Sequence, residues 1–239
     1  MRVHFSILLL GLSLFCFSQK NSGTLIVKIK PVFNGEPLML GEKKYVDQNG
    51  DTLFIDLFKF YLSNIEIQGS KFFFEPKSYH LINAEEEKTL SLIIKNIEAD
   101  SYNKLNFNIG IDSLTNTSGA LDGDLDPIKG MYWAWNTGYI AAKIEGRSKV
   151  CKTHNNEFEF HIGGYLYPFN ALRKISLTLA DIKIIENKTT TIEVKADVAE
   201  WFKGQQKIEL SKTNNIVIPG KESVMMANNY SDMFSISKP

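Results

Sequence analysis

The residues best suited to chemistry are three histidines, His80, His154 and His161, together with the thioether of Met131. Copper accepts imidazole nitrogen in both of its common oxidation states, and thioether sulfur favours the reduced ion. These side chains are therefore candidate ligands of a transition metal. We place His161 and His80 ahead of His154, which lies in a polar loop, and ahead of Met131.

His161 lies in a segment in which apolar and polar residues alternate. Phe158, Phe160 and Ile162 fall on one face of the predicted strand, so His161 falls on the other. An ordinary strand histidine near a turn is the alternative interpretation to a metal ligand.

Asp122, Asp124 and Asp126 alternate along the chain and offer carboxylates to a hard cation such as Ca²⁺. A calcium-binding loop of the twelve-residue type needs a glycine after the third acid, and Pro127 and Ile128 stand there instead. We therefore expect a solvated turn at this position.

Catalytic signatures are absent from the sequence. There is no Gly-x-Ser-x-Gly elbow, no His-Glu-x-x-His pair, no phosphate-binding glycine-rich loop and no recognisable pair of acid/base carboxylates. Cys151 lies beside Lys152, which could lower a thiol pKa, although a lone thiol is more often inert. The sequence predicts a protein that is not an enzyme.

Trp133 and Trp135 are two residues apart, a spacing that puts both side chains on the same face of a strand. Packing in the core is the favoured interpretation for both indoles, and they would also border a metal site nearby. They lie in Asp112–Gly138, the least strand-like stretch of the chain. Loops of that length are uncommon in compact domains and usually carry function.

Alternation with a period of two dominates the remaining sequence and predicts an all-β fold, an antiparallel β-sandwich with long loops. Helical turns are expected only at Asp197–Lys203 and in a short C-terminal segment, Glu222–Phe234. The first predicted strand is Leu25–Ile29. The later ones are Leu53–Ile67, Tyr79–Ile82, Leu90–Lys95, Lys104–Ile109, Tyr139–Glu145, Glu157–Ile162, Lys174–Leu179 and Thr190–Val194.

The start of the chain has the pattern of a secretory signal peptide. Arg2 precedes an apolar run over Phe5–Phe17, and Cys16 and Ser18 supply small residues for cleavage before Gln19. We expect residues 1–18 to be a leader and the protein to be exported to the periplasm, the cell surface or the medium. Lipidation at Cys16 is disfavoured by the preceding Phe15, and retention as an uncleaved anchor is the other alternative.

Residues 19–239 are then expected to form a single domain, since they show no repeat, linker or low-complexity tract. Loss of Arg2 with the leader changes 27 basic and 27 acidic residues to 26 and 27, a net charge of −1. Near-neutrality argues against nucleic acid or an anionic membrane as partner. Cys16 also leaves with the leader, so Cys151 has no intrachain partner for a disulfide.

Three stretches of the chain carry a resemblance to a known family. They are Phe58–Ile65, the signature Gly130-Met131-Tyr132-Trp133-Ala134-Trp135-Asn136-Thr137-Gly138-Tyr139, and Phe158–Gly164. In order and length they are similar to the core of the MbnP-like domain of methanobactin-associated proteins, and the match spans roughly Thr24–Leu179.

The resemblance implies a periplasmic or surface β-sandwich that binds copper for scavenging, storage or delivery. In such proteins copper sits between histidine nitrogens and a tryptophan oxidised to kynurenine, and a di-haem peroxidase-like protein can be the oxidising partner. Carried onto this chain, the metal site comprises His161 and His80, bordered by Trp133 and Trp135. No tryptophan flanks His80, and Ser63 stands where relatives can carry a further histidine, so we expect no kynurenine here.

The alternative function belongs to a different class. It is a metal-free extracytoplasmic β-sandwich that binds a protein or a glycan through the tryptophan-rich loop, the stretch that carries Trp133 and Trp135.

Overall fold

The computed structural model describes residues 21–135 and 138–237. The leader predicted for residues 1–18 lies outside these ranges. The strands are β1 (Ser22–Phe33), β2 (Glu36–Pro37), β3 (Tyr45–Val46), β4 (Thr52–Gly69), β5 (Phe72–Phe74), β6 (Tyr79–Asn83), β7 (Ser91–Glu98), β8 (Asp100–Ile109), β9 (Tyr132–Trp133), β10 (Gly138–Ser148), β11 (Glu157–Gly163), β12 (Arg173–Ile184), β13 (Thr189–Asp197), β14 (Asn215–Ile216) and β15 (Phe234–Ile236).

Helices are short and few in the described ranges. They are α1 (Ser113–Thr117), α2 (Glu200–Lys203) and α3 (Lys221–Tyr230), with single 3₁₀ turns at Glu87–Leu90, Gly123–Leu125, Pro127–Lys129, His154–Asn156 and Ser231–Met233. The two helical segments expected near the C-terminus are confirmed. No helix in the described part is long and apolar enough to cross a membrane.

The strands form two sheets. One has the order β15-β13-β1-β2, with β7 also paired to β1. The other has the order β12-β8-β4-β10-β11-β14, with β3, β5 and β6 paired to β4 and β9 paired to β10. The predicted β-sandwich is confirmed.

Most pairs of the described strands are antiparallel, as expected, and two pairs are parallel. β1 and β13 pair in parallel from Thr24 opposite Thr189 to Val32 opposite Asp197, and β11 pairs with β14 in parallel. Alternation of apolar residues shows which face of a strand is buried, but it carries no information on the direction of the neighbouring strand. Both sheets of the sandwich contain antiparallel pairs, and each also contains one parallel pair.

Aromatic side chains fill the main core between the sheets. Phe58 and Phe60 on β4 and Phe158 and Phe160 on β11 are fully buried, as is Trp201 of α2. Helix α2 and helix α3 pack together at this core, where the Trp201 ring lies 4.9 Å from that of Tyr230. Full burial of so much aromatic surface stabilises the fold without a disulfide.

The long stretch after β8 folds over the opposite face of the larger sheet. Tyr61 lies between Phe60 and Leu62 on β4, so its side chain points away from the main core. It anchors a second, smaller core. The members of this second core are Tyr61, Leu81, Ile111, Leu125, Met131, Trp133, Tyr139 and Ile140.

Hydrogen bonds fix this stretch to the sheet. The Tyr61 hydroxyl donates to the carbonyl of Asp124 at 3.0 Å. The Asn116 amide donates to the carbonyl of Ile111 at 2.8 Å, and its oxygen accepts from the backbone of Tyr139 at 2.8 Å. Residues 112–135 therefore form a folded cover on the sheet, with α1, two 3₁₀ turns and β9 within it.

Candidate functional site

His161 lies in a row of basic side chains that crosses three strands of the larger sheet. On β11 it is directly opposite Lys143 of β10, and Lys143 is directly opposite Lys59 of β4. Directly opposite residues share one face of a sheet. This is the face away from the main core, as the sequence predicts for His161.

Glu145 links the row together. Its Oε1 lies 2.8 Å from His161 Nε2 and 3.0 Å from Lys143 Nζ. The hydrogen bond from His161 lowers the pKa of the Glu145 carboxyl to about 2, with Lys143 adding to the effect against the opposing influence of burial. Because an ionised carboxylate can only accept, His161 Nε2 is the donor in this hydrogen bond.

Trp133 lies against Gly163, on the same strand as His161. A Cβ atom added at Gly163 would come within 2.7 Å of a ring carbon of Trp133, so the indole rests directly on that glycine. Gly163 follows His161 by two residues on β11 and faces the same way. Trp133 therefore lies against β11 two residues along the strand from His161, and Trp133 itself is 5% exposed within the second core.

Trp135 behaves differently, and the expectation that it packs in the core is wrong. Its side chain is 64% exposed. Strand β9 ends at Trp133, and Trp135 lies in the following turn, so the same-face rule for strands does not apply to it. The two indoles are still neighbours, with ring centroids 5.9 Å apart.

His80 lies in a second histidine–glutamate pair. His80 Nε2 is 2.7 Å from Oε2 of Glu75, and the Ser78 hydroxyl donates to the same oxygen at 2.6 Å. Within the described residues Glu75 makes no ion pair with lysine or arginine. The side chains of His80 and Glu75 are 25% and 14% exposed.

The structure does not bring His80 and His161 together. A row of paired residues runs from His161 through Lys143 and Lys59 to Asn83 on β6. Three strand spacings of about 4.8 Å separate its ends by about 14 Å, and His80 is three residues, or about 10 Å, farther along β6. An odd number of residues also places His80 on the opposite face, so one ion with metal–nitrogen bonds of about 2 Å cannot bind both rings.

The remaining candidate ligands are His154, Met131 and the carboxylates of the acidic segment. His154 is exposed in its 3₁₀ turn, and Met131 is fully buried in the second core. Asp124 pairs with Lys129 at 2.8 Å and accepts from the backbone of Leu81. The acidic segment forms turns, as the sequence predicts, and Asp124 within it is paired rather than fully solvated.

Cys151 is buried in the main core, and burial raises the pKa of its thiol to about 11. A thiolate is therefore disfavoured, and the possibility of a reactive thiol beside Lys152 is not supported.

Few side chains are placed to bind copper, the ion implied by the family resemblance. Among the residues that the structure describes, no three His, Cys, Asp or Glu side chains are grouped so as to hold a metal. Each half-buried histidine instead has one glutamate. This fits a site with one imidazole donor per pair, because imidazole is a good copper ligand and a carboxylate on the second ring nitrogen orients metal-binding histidines.

Sequence reasoning missed both glutamates. Glu145 reaches His161 only through the pairing of β10 with β11, and Glu75 reaches His80 across the turn between β5 and β6. Glu145 follows the polar alternation of β10, which was the available signal; the position of Glu75 outside a strand offered none.

The fold and site together define a β-sandwich whose larger sheet carries a histidine–glutamate pair on each face. The face away from the main core, called here the outer face, is also covered by residues 112–135. The chain belongs to the MbnP family, whose model matches residues 22–226. Its fold is similar to that of MbnP from Methylosinus trichosporium, with a TM-score of 0.54, 11% sequence identity and 80% of each chain covered. No curated protein matches the sequence.

The contrast between the two tryptophans predicts different stabilities for their alanine variants. Trp133→Ala should lower the free energy of unfolding by about 3–5 kcal/mol, because a buried indole is lost from the second core. Trp135→Ala should cost under about 1 kcal/mol, because its side chain is mostly exposed. Urea denaturation measures both, and equal losses would contradict the different burial of the two rings.

The Glu145 pair predicts a dependence of stability on pH. A carboxyl pKa lowered from 4.5 to about 2 stabilises the fold above about pH 4.5, and this contribution is lost as the pH falls towards 2. Glu145→Gln should therefore be less stable than wild type at neutral pH, with a difference that shrinks in acid. Thermal melts over this range measure it, and Glu157→Gln, which removes an exposed carboxylate at the start of β11, is the control. A difference independent of pH would contradict the ion pair.

Proposed function

We propose that this chain binds a copper ion outside the cytoplasm and that His80 is its principal ligand. The observation that carries the proposal is the half-buried His80–Glu75 pair, in which no lysine or arginine competes for the carboxylate within the described residues. Export follows from the predicted leader, and copper follows from the family resemblance together with the imidazole donor.

Local charge favours His80 over His161. Glu145 is already shared by His161 and Lys143, and Lys59 lies directly beside Lys143. A unit positive charge 4 Å from a bound cation costs about 4 kcal/mol at an effective dielectric constant of about 20. Glu75 has only the Ser78 hydroxyl and the His80 ring as polar side-chain partners in the described chain. His161, bordered by Trp133, is the second and separate candidate ligand.

The neighbouring groups define what each residue would do. The His80 imidazole supplies the nitrogen donor. Glu75 orients the ring when the ring proton is on Nε2, and it can supply an oxygen donor when the proton is on Nδ1 and Nε2 binds the ion. A set of one or two protein donors leaves positions open to an exchanging ligand. That favours scavenging or delivery over tight storage, and we propose no catalytic role.

The family resemblance extends the proposal to a partner. A di-haem peroxidase-like protein would be the partner of a copper site that includes an oxidised tryptophan. Trp133, which lies against Gly163 two residues from His161, is the indole we propose for such a site.

A second candidate function is supported by the exposure of Trp135. An exposed indole on a loop built over a rigid sheet is typical of a recognition surface. In this case the chain would bind a protein or a glycan through the tryptophan-rich loop, with no metal.

Titration of the purified chain with copper against a competing chelator tests the first proposal. We expect about one copper per chain, and His80→Ala should weaken binding at least tenfold, or more than about 1.4 kcal/mol. His154→Ala, which removes an exposed loop histidine, is the matched control and should bind like wild type. The affinity of His161→Ala shows whether His161, the second candidate ligand, contributes to copper binding. Equal affinity in His80→Ala and wild type would remove His80 from the site.

The kynurenine expectation has its own test. Kynurenine formation replaces an indole with a gain of about 4 Da, which intact-mass and peptide spectrometry resolve. We predict an unmodified chain from the native host, because no tryptophan flanks His80 and Trp133 is packed in the second core. A modified peptide containing Trp133 would contradict this and move the copper site to His161.

A further inference from the structure

One end of the sandwich is formed by segments without charge. Residues 113–121, 130–142, 163–172 and 213–220 contain no Asp, Glu, Lys, Arg or His. Since 23% of the whole chain is charged, 40 residues of average composition would include about nine charged side chains. The four segments are separate in sequence, so their contacts decide whether they share one surface.

Contacts between the described parts of these segments bring them together in space. The Ser113 hydroxyl donates to the carbonyl of Tyr165 at 2.9 Å. A Cβ atom added at Gly164 would lie 3.1 Å from Cβ of Pro219, and one at Gly138 would lie 3.2 Å from the Tyr165 ring. Helix α1, the turn before β10, the loop after β11 and the segment before α3 therefore form one continuous surface, called here the uncharged end.

Large apolar side chains protrude from this uncharged end. Tyr167 is 96% exposed and Leu114 is 80% exposed. The exposed large apolar residues of the uncharged end are Leu114, Leu121, Trp135, Leu166, Tyr167, Phe169 and Ile218. Exposed apolar clusters of this kind mark interaction surfaces.

The loop after β11, which carries Tyr167, forms some of its backbone hydrogen bonds within itself. The N–H of Phe169 donates to the carbonyl of Leu166 at 2.8 Å, and that of Ala171 donates to the carbonyl of Gly164 at 2.9 Å. Pro168 has no N–H to satisfy. The loop can therefore enter an apolar phase at a lower cost in unpaired backbone groups.

We propose that the uncharged end docks on the surface of a lipid bilayer with electrically neutral headgroups. A protein interface accommodates charged residues in its polar rim, whereas the apolar layer of a membrane excludes charge over its whole breadth. Tyrosine and tryptophan favour the headgroup level, and leucine, isoleucine and phenylalanine favour the acyl boundary. Without the predicted leader the chain has 26 basic and 27 acidic residues, and this near-neutral balance is compatible with a neutral membrane. This inference does not depend on copper binding.

Vesicles of equal parts phosphatidylethanolamine and phosphatidylcholine test the proposal with the chain that begins at Gln19. The chain should sediment with the vesicles, and its tryptophan emission should shift to the blue. Trp135 is the reporter, because Trp133 and Trp201, the other two tryptophans, are buried. The double variant Leu166→Ser, Tyr167→Ser should lower partitioning by at least about tenfold, since it removes two exposed apolar side chains.

Phe72→Ser is the matched control, since Phe72 is an exposed aromatic residue on β5, outside the uncharged end. It should partition like wild type, and added salt should change binding little because no charge is involved. Absence of vesicle binding, equal binding by the double variant, or loss of binding in salt would each overturn the proposal. A wild type that is dimeric and ignores vesicles, with a monomeric double variant, would assign the surface to self-association instead.

Discussion

The structure depends on the middle of strand β4, at residues 60–63, being buried on both of its faces. Among the described residues this strand pairs with β3, β5, β6, β8 and β10, and it is the longest in the chain. Phe58, Phe60 and Leu62 point into the main core, and Tyr61 points into the second core. Because neither face can be left to solvent without exposing aromatic surface, residues 112–135 must fold over the outer face.

That two-sided burial decides where the candidate ligands can lie. A residue in the larger sheet points either toward the main core side or toward the cover, and the choice is set by its position relative to β4. His161 shares the side of the cover with Lys59 and Lys143, and His80 takes the other side at the end of β6. Each histidine then obtains the nearest carboxylate as its partner, so the site consists of two separate pairs with different local charge.

Much of this fold could be predicted from the sequence, because the alternation of apolar and polar residues along a strand shows which of its faces is buried. The segment around Phe158, Phe160 and His161 gave the correct faces for all three residues. Parallel pairing of β1 with β13 could not be predicted, since it depends on which strands meet and not on their composition. The glutamate partners were missed for the same reason, and Trp135 was misplaced because a turn interrupts the short strand that precedes it.

The central claim is that His80 and His161 lie on opposite faces of one sheet and that copper is bound at His80. Pulsed electron paramagnetic resonance of the chain loaded with one equivalent of copper(II) tests it directly, because the modulation from the remote imidazole nitrogen counts the histidines on the ion. The account predicts one imidazole per copper, a signal that is lost in His80→Ala and retained in His161→Ala. Two imidazoles on a single copper ion, with the count reduced by either substitution, would contradict it.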